Sequence, residues 1–165
     1  MTFAKHAATA LLGVALLTVP ALAEPTETIQ AAGKGASWLF IQTAANVQFD
    51  GKTLTLRNIN PSMVMFTDRP ARMAQSIPTA TFLKSWDQGG KGSFKSDPPN
   101  AGLTTLVDGK LQTATVELTQ PRLDGTTLTY QVRITEGTLP PKAGTTSLFI
   151  DSGCHNSPWD PRPCH

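Results

Sequence analysis

Apolar and polar residues alternate most clearly through Leu128-Thr129-Tyr130-Gln131-Val132-Arg133-Ile134-Thr135. Leu128, Tyr130, Val132 and Ile134 fall on one side, and the threonines, Gln131 and Arg133 on the other; a period of two is that of a half-buried strand. Val116 and Leu118 alternate in the same way with Thr115, Glu117 and Thr119, and residues 121–125 read as the hairpin joining the two segments. Further strands are expected over residues 38–43, 46–49, 53–59, 63–67, 103–107 and 147–151. The total of about eight suits two packed sheets. The pattern changes once. Thr79 is placed to cap a helix over residues 80–88, Phe82 and Trp86 lie four apart on one face of it, and Gly89-Gly90 ends it.

Asp-Gly occurs three times between apolar segments, at Asp50-Gly51, Asp108-Gly109 and Asp124-Gly125. Each is a candidate tight hairpin, because glycine accepts positive φ and aspartate bonds to nearby backbone. Two of these pairs open similar octets, residues 49–56 and 123–130. The similarity stops there, so one turn solution reached twice is favoured over a duplicated half-domain. The fold class expected is mainly β, an antiparallel β-sandwich with one short helix.

The first residues follow a different logic. Lys5 and His6 form a polar start, residues 7–19 an apolar stretch, Pro20 a break, and Ala21-Leu22-Ala23 the small residues read by a signal peptidase. The stretch is shorter than the roughly 20 residues that span a bilayer. Cleavage after Ala23 and export to the periplasm or beyond are therefore expected, with residues 24–37 as a flexible lead-in, 38–151 as the folded domain and 152–165 as a tail. The cleaved chain would keep 142 of the 165 residues and, having lost Lys5, a net charge near +1. That balance offers no electrostatic footprint for nucleic acid. No transmembrane segment is expected in the mature chain.

The tail concentrates the candidate metal chemistry. Cys154 and Cys164 are the only cysteines, and outside the cytoplasm they are expected to form a disulfide. His155, His165 and Asp160, joined by Asp151 and the terminal carboxylate, then compose a weak transition-metal site suited to zinc, copper or nickel. With reduced thiols the Cys-His pairs would be a formal Cys₂His₂ set, but adjacent ligands lack the usual zinc spacing. The disulfide without a physiological metal is the simpler reading.

Elsewhere, Asp68, Arg69 and Arg72 in the run Asp-Arg-Pro-Ala-Arg combine a carboxylate with two guanidinium groups, an arrangement able to hold an anionic ligand, though the same residues make an ordinary turn. Asp97 in Asp-Pro-Pro-Asn is a second polar turn, and with Asp68 it could supply calcium ligands if the loops met. Met63, Met65 and Met73 are thioether candidates for copper, with core packing the favoured role. Lys84, Trp86, Lys91, Phe94 and Lys95, or Trp159, could form a glycan platform, although scattered lysines usually solvate a face.

Phe66-Thr67-Asp68-Arg69-Pro70-Ala71-Arg72, the Phe82/Trp86 helix, Ser96-Asp97-Pro98-Pro99-Asn100-Ala101 and the hairpin segments that follow resemble a family of small exported bacterial β-rich proteins without assigned activity. The resemblance implies a shared fold over residues 38–150 and transfers no catalytic role; the tail is outside it. No phosphate loop, nucleophile elbow or zincin helix is present. Serine catalysis would need His155 or His165, in a tail poorly suited to holding a base. The function expected is thus an exported non-enzymatic binding or accessory module, acting on a small ligand or an envelope component. A hydrolase or other enzyme with a pocket near Asp68, Arg69, Arg72 and Asp97 is the first alternative, and a glycan- or cell-envelope-binding domain the second.

Overall fold

A computed structural model describes residues 38–67, 72–86, 88 and 93–151. The export segment, the lead-in and the Cys154/Cys164 tail with His155, Asp160 and His165 lie outside the described residues. In chain order the elements are β1 (Trp38–Phe49), β2 (Thr53–Ile59), β3 (Ser62–Thr67), β4 (Ala74–Pro78), α1 (Thr79–Trp86), β5 (Asn100–Val107), β6 (Lys110–Asp124), β7 (Thr127–Gly137), β8 (Lys142–Ala143) and β9 (Thr146–Asp151).

All strand pairings are antiparallel and belong to one sheet. Among the described residues the antiparallel strands and one short helix are as expected; the strands do not divide into two separate sheets. From β1 the path runs through β2, β7, β6, β5 and β9 and returns to β1, so six strands close a ring. Closure of this kind removes exposed strand edges. The inward residues of these strands, among them Phe40, Leu54, Leu118, Leu128 and Leu148, are fully buried and share one apolar core. Each contributes about 1.5–3 kcal/mol by leaving water. Met63 and Met65 lie in that core too, and Met73 packs against it, so these methionines fill space. Among the described residues no helix is long and apolar enough to cross a membrane.

The ring forms because residues 38–49, read from sequence as two strands, are one strand. On one edge β1 pairs first with β9 and then with β8; on the other, its first part pairs with β3 and its later part with β2. β2 and β3 thus follow one another along the same edge, interrupted at Asn60-Pro61. Beyond the interruption the sheet forks, β2 going to β7 and β3 to β4.

Gln42 occupies the fork. Its side chain is fully buried, yet every polar atom of its amide group is used: Nε2 donates to the Asn60 carbonyl at 2.8 Å and the Thr43 carbonyl at 3.1 Å, and Oε1 accepts from the Thr79 hydroxyl at 2.8 Å. The Thr79 amide donates to the Pro61 carbonyl at 2.9 Å. The start of α1 is therefore clipped to the break in the β2–β3 edge. Thr79 spends its hydroxyl on this core network and does not act as the helix cap expected from its position.

From the fork α1 crosses to β6, burying Phe82 and Trp86 as their spacing predicts. Phe82 meets Phe40 at a centroid distance of 4.8 Å, Trp86 at 5.9 Å and Phe94 at 5.7 Å.

The Asp-Gly turns are not equivalent. Asp108 and Gly109, at φ 48° and 76°, are the two loop residues between paired Val107 and Lys110, the pattern of a type I′ turn. In the other two, the aspartate is the last residue before the loop and glycine its first, with only the glycine at positive φ, as in type II′. Asp50 Oδ1 accepts from the amides of Lys52 at 2.9 Å and Thr53 at 2.6 Å, which holds its carboxyl below the ordinary value.

At the far end of β7, Gly137 has φ 77°, and a Cβ there would lie 2.7 Å from the Thr113 carbonyl oxygen. Gly137→Ala is expected to cost more than about 1 kcal/mol through strain and backbone displacement. A denaturant midpoint unchanged from the parent would refute it.

Candidate functional site

β6 does not end at Thr119. It continues through Pro121 to Asp124, and the segment expected to be a hairpin loop is strand with a bulge in it. Between the pairs Thr119–Gln131 and Arg122–Thr129, β6 places Gln120 and Pro121 opposite the single residue Tyr130. Proline lacks an amide hydrogen for the ladder, and the extra residue accommodates that loss. Gln120 takes φ 48°, a left-handed conformation uncommon outside glycine, asparagine and aspartate. Such strain persists only where surrounding structure holds it, and it collects at functional positions.

A cleft of about 430 Å³ opens beside this bulge, lined by Trp86, Phe94, Lys95, Pro98, Thr119, Gln120 and Pro121. Three pieces of chain position these groups. α1 ends in Trp86; the turn at residues 93–97, tied by the Ser96 and Asp97 amides to the Ser93 carbonyl at 2.9 and 2.8 Å, delivers Phe94 and Lys95; and the bulge presents Thr119 and Gln120. The Trp86 and Phe94 rings stack at 4.9 Å with 30° between their planes. Each is only 2 % exposed, so they close the inner wall of the cleft and do not form the open aromatic platform considered for glycan binding. Lys84 and Lys95 are exposed, and Lys91 lies outside the described residues. Among the described residues, the side-chain polar groups lining the cleft are an ammonium, an amide and a hydroxyl.

Behind the cleft sits Tyr130. Its ring centroid is 5.7 Å from that of Trp86, the residue is fully buried, and its hydroxyl has no hydrogen-bond partner among the described residues. Leaving a buried hydroxyl unpaired costs about 1–3 kcal/mol. Burial also pushes its phenol well above the ordinary value of 10.0. The sign of the resulting pH dependence follows: above pH 10 the unfolded chain releases a proton that the native state keeps. Stability is untouched below that pH and falls as pH rises beyond it.

Tyr130 is the chain's only tyrosine, so phenolate absorbance reports it alone. Ionisation is expected only together with alkaline unfolding; a reversible titration near the free-tyrosine value in folded protein would show a solvated hydroxyl. Tyr130→Phe is expected to be stabilising by about 1 kcal/mol, read from the denaturant midpoint.

A second groove of about 240 Å³ lies across the bulge, lined by Lys52, Glu117, Thr119, Gln120, Gln131, Val132 and Arg133. Arg133 donates from Nη2 to Glu117 Oε2 at 2.7 Å and from Nε to Oε1 at 3.4 Å. This pairing raises the Arg133 pKa still further above its ordinary range. Gln131 Nε2 donates to the Thr53 hydroxyl at 3.1 Å.

Of the residues singled out in sequence, Trp86, Phe94 and Lys95 line the cleft, and the others that are described fall elsewhere. Asp68 and Arg69 are outside the described residues. Arg72, at φ 49°, and Asp97 are exposed, and neither lines the cleft. Asp151 is exposed at the end of β9. Among the described residues no three His, Cys, Asp or Glu side chains cluster as a metal site would require. The missed residues are Thr119, Gln120 and Tyr130. Pro121 inside a strand-like pattern was the available signal for a bulge, but nothing local said that it would face an unpartnered phenol.

No family model, curated protein or solved structure matches this chain.

Proposed function

We propose that the chain is an exported, non-enzymatic binding module and that its ligand site is the cleft between Trp86, the Phe94-Lys95 turn and the β6 bulge. The observation that carries this reading is the conjunction of a strained Gln120 in the cleft wall and, behind that wall, an unpartnered, buried Tyr130 hydroxyl. Both lower stability, and both are accounted for if a ligand is held there. The cleft's Lys95, Thr119 and Gln120 suit hydrogen bonding to a polar ligand. General acid–base catalysis would ask for a titratable pair in one place, and among the described lining residues Lys95 is the one ionisable group.

A fragment library screened by amide and side-chain correlation spectra tests the site. Saturable binders should shift the Trp86 indole, the Gln120 carboxamide and the Lys95 amide together. Binders that leave all three unmoved would overturn it. Export, the family resemblance and the tail chemistry belong to the same reading. Intact mass of protein from its native compartment should show loss of residues 1–23 and two fewer hydrogens for a Cys154–Cys164 bridge. Zinc or copper titration of that protein should weaken in His155→Ala and His165→Ala if the tail binds metal; unchanged titrations in both would remove the tail site.

A further inference from the structure

The cleft and the second groove share Thr119 and Gln120, so they meet over the bulge. Among the described residues of the combined surface are three cations, Lys95, Lys52 and Arg133, and one acid, Glu117, already held by Arg133. These described residues balance at +2, on a mature chain carrying about +1 in all. Between the cations stand short neutral hydrogen-bonding groups, the Thr119 hydroxyl and the Gln120 and Gln131 amides. We infer that the two depressions form one elongated site for an acidic oligosaccharide, a linear sugar chain whose carboxylates meet Lys95 at one end and Lys52 with Arg133 at the other.

This rests on the cleft being a ligand site and names its ligand class. A sugar chain suits the surface because its hydroxyls both donate and accept, as amides and hydroxyls do. An acidic peptide suits it less. Among the described residues β6 has no second strand partner from Thr119 on and β7 none beyond Val132, but the bulge at Gln120 and Pro121, which has no amide hydrogen, interrupts the β6 edge and leaves no regular ladder for a peptide backbone. Gln120, raised by the bulge, stands where the ligand crosses from one depression to the other.

The test is calorimetric titration of the mature protein with tetragalacturonate, neutral maltotetraose and tetraglutamate. Tetragalacturonate should bind saturably, at least tenfold tighter than either control, and more weakly as salt rises. Lys52→Gln and Lys95→Gln should each weaken it about tenfold, whereas Lys142→Gln, an exposed lysine on β8, should not. No binding of tetragalacturonate, equal binding of maltotetraose, tighter binding of tetraglutamate, or an affinity unmoved by Lys52→Gln and Lys95→Gln would each overturn the inference. The cleft itself is judged separately by the fragment spectra. If fragments shift Trp86, Gln120 and Lys95 while tetragalacturonate fails, only the acidic-sugar assignment falls.

Discussion

Gln42→Ala should cost about 3–5 kcal/mol, a large part of the stability of a domain this size. The substitution removes a fully buried amide that satisfies the Asn60 carbonyl and receives the Thr79 hydroxyl. The Thr79 hydroxyl and the Asn60 carbonyl would keep only their longer mutual contact of 3.3 Å, and the lost side chain would leave a void at the fork. Because the same contacts clip α1 to the break between β2 and β3, the helix should loosen before the ring opens. Hydrogen exchange should show reduced protection over residues 79–86 ahead of the β5–β6 hairpin. Gln42→Glu separates geometry from polarity: its shape is retained, but an ionised carboxylate cannot donate to Asn60 and would be buried without a partner charge. It too should be strongly destabilised at neutral pH and partly recover in mild acid. A midpoint within about 1 kcal/mol of the parent for both variants would mean the fork is held by apolar packing alone.

Trp86→Ala should be comparably severe, about 3–5 kcal/mol. The indole stacks on Phe94 and meets Phe82 and Tyr130, at centroid distances of 4.9, 5.9 and 5.7 Å. Its removal joins the cleft to the space around Tyr130. Trp86→Phe keeps an aromatic plane and should retain most of the stability while changing the shape of the cleft. The expected result is a denaturant midpoint near the parent for phenylalanine and far below it for alanine, with fragment binding weakened in both. Parent-like binding by Trp86→Phe and Trp86→Ala would separate Trp86 from the ligand site.

The position of Tyr130 gives these experiments a useful contrast. Tyr130→Phe should move stability up and, in the proposed reading, ligand affinity down. A residue kept only for packing would not show that opposition, since phenylalanine fills the same core volume without the unpaired hydroxyl.

Much of the architecture was legible from local pattern. The strand at Thr53–Ile59 has the predicted ends, the Phe82/Trp86 face is buried, and the three Asp-Gly pairs all lie at hairpin turns. These depend on side-chain alternation and on the φ freedom of glycine, both properties of short stretches of chain. The candidate site was legible only in part, through the grouping of Trp86, Phe94 and Lys95. Asp68, Arg69, Arg72 and Asp97 drew attention because charged and turn residues stood together in sequence. The cleft completes Trp86, Phe94 and Lys95 with Thr119 and Gln120 from a strand remote in sequence. What the amino-acid order determined by itself was most of the β-strands, though not β4 or β8, one amphipathic helix and the Asp-Gly turns. Only tertiary structure decided that β1 would stay continuous, that β2 and β3 would share its edge, and that a bulge would stand over a partnerless phenol. The physical reason is range: period and turn chemistry act over a few residues, whereas ring closure and the pairing of Gln42 with Asn60 and Thr79 exist only once remote segments have met.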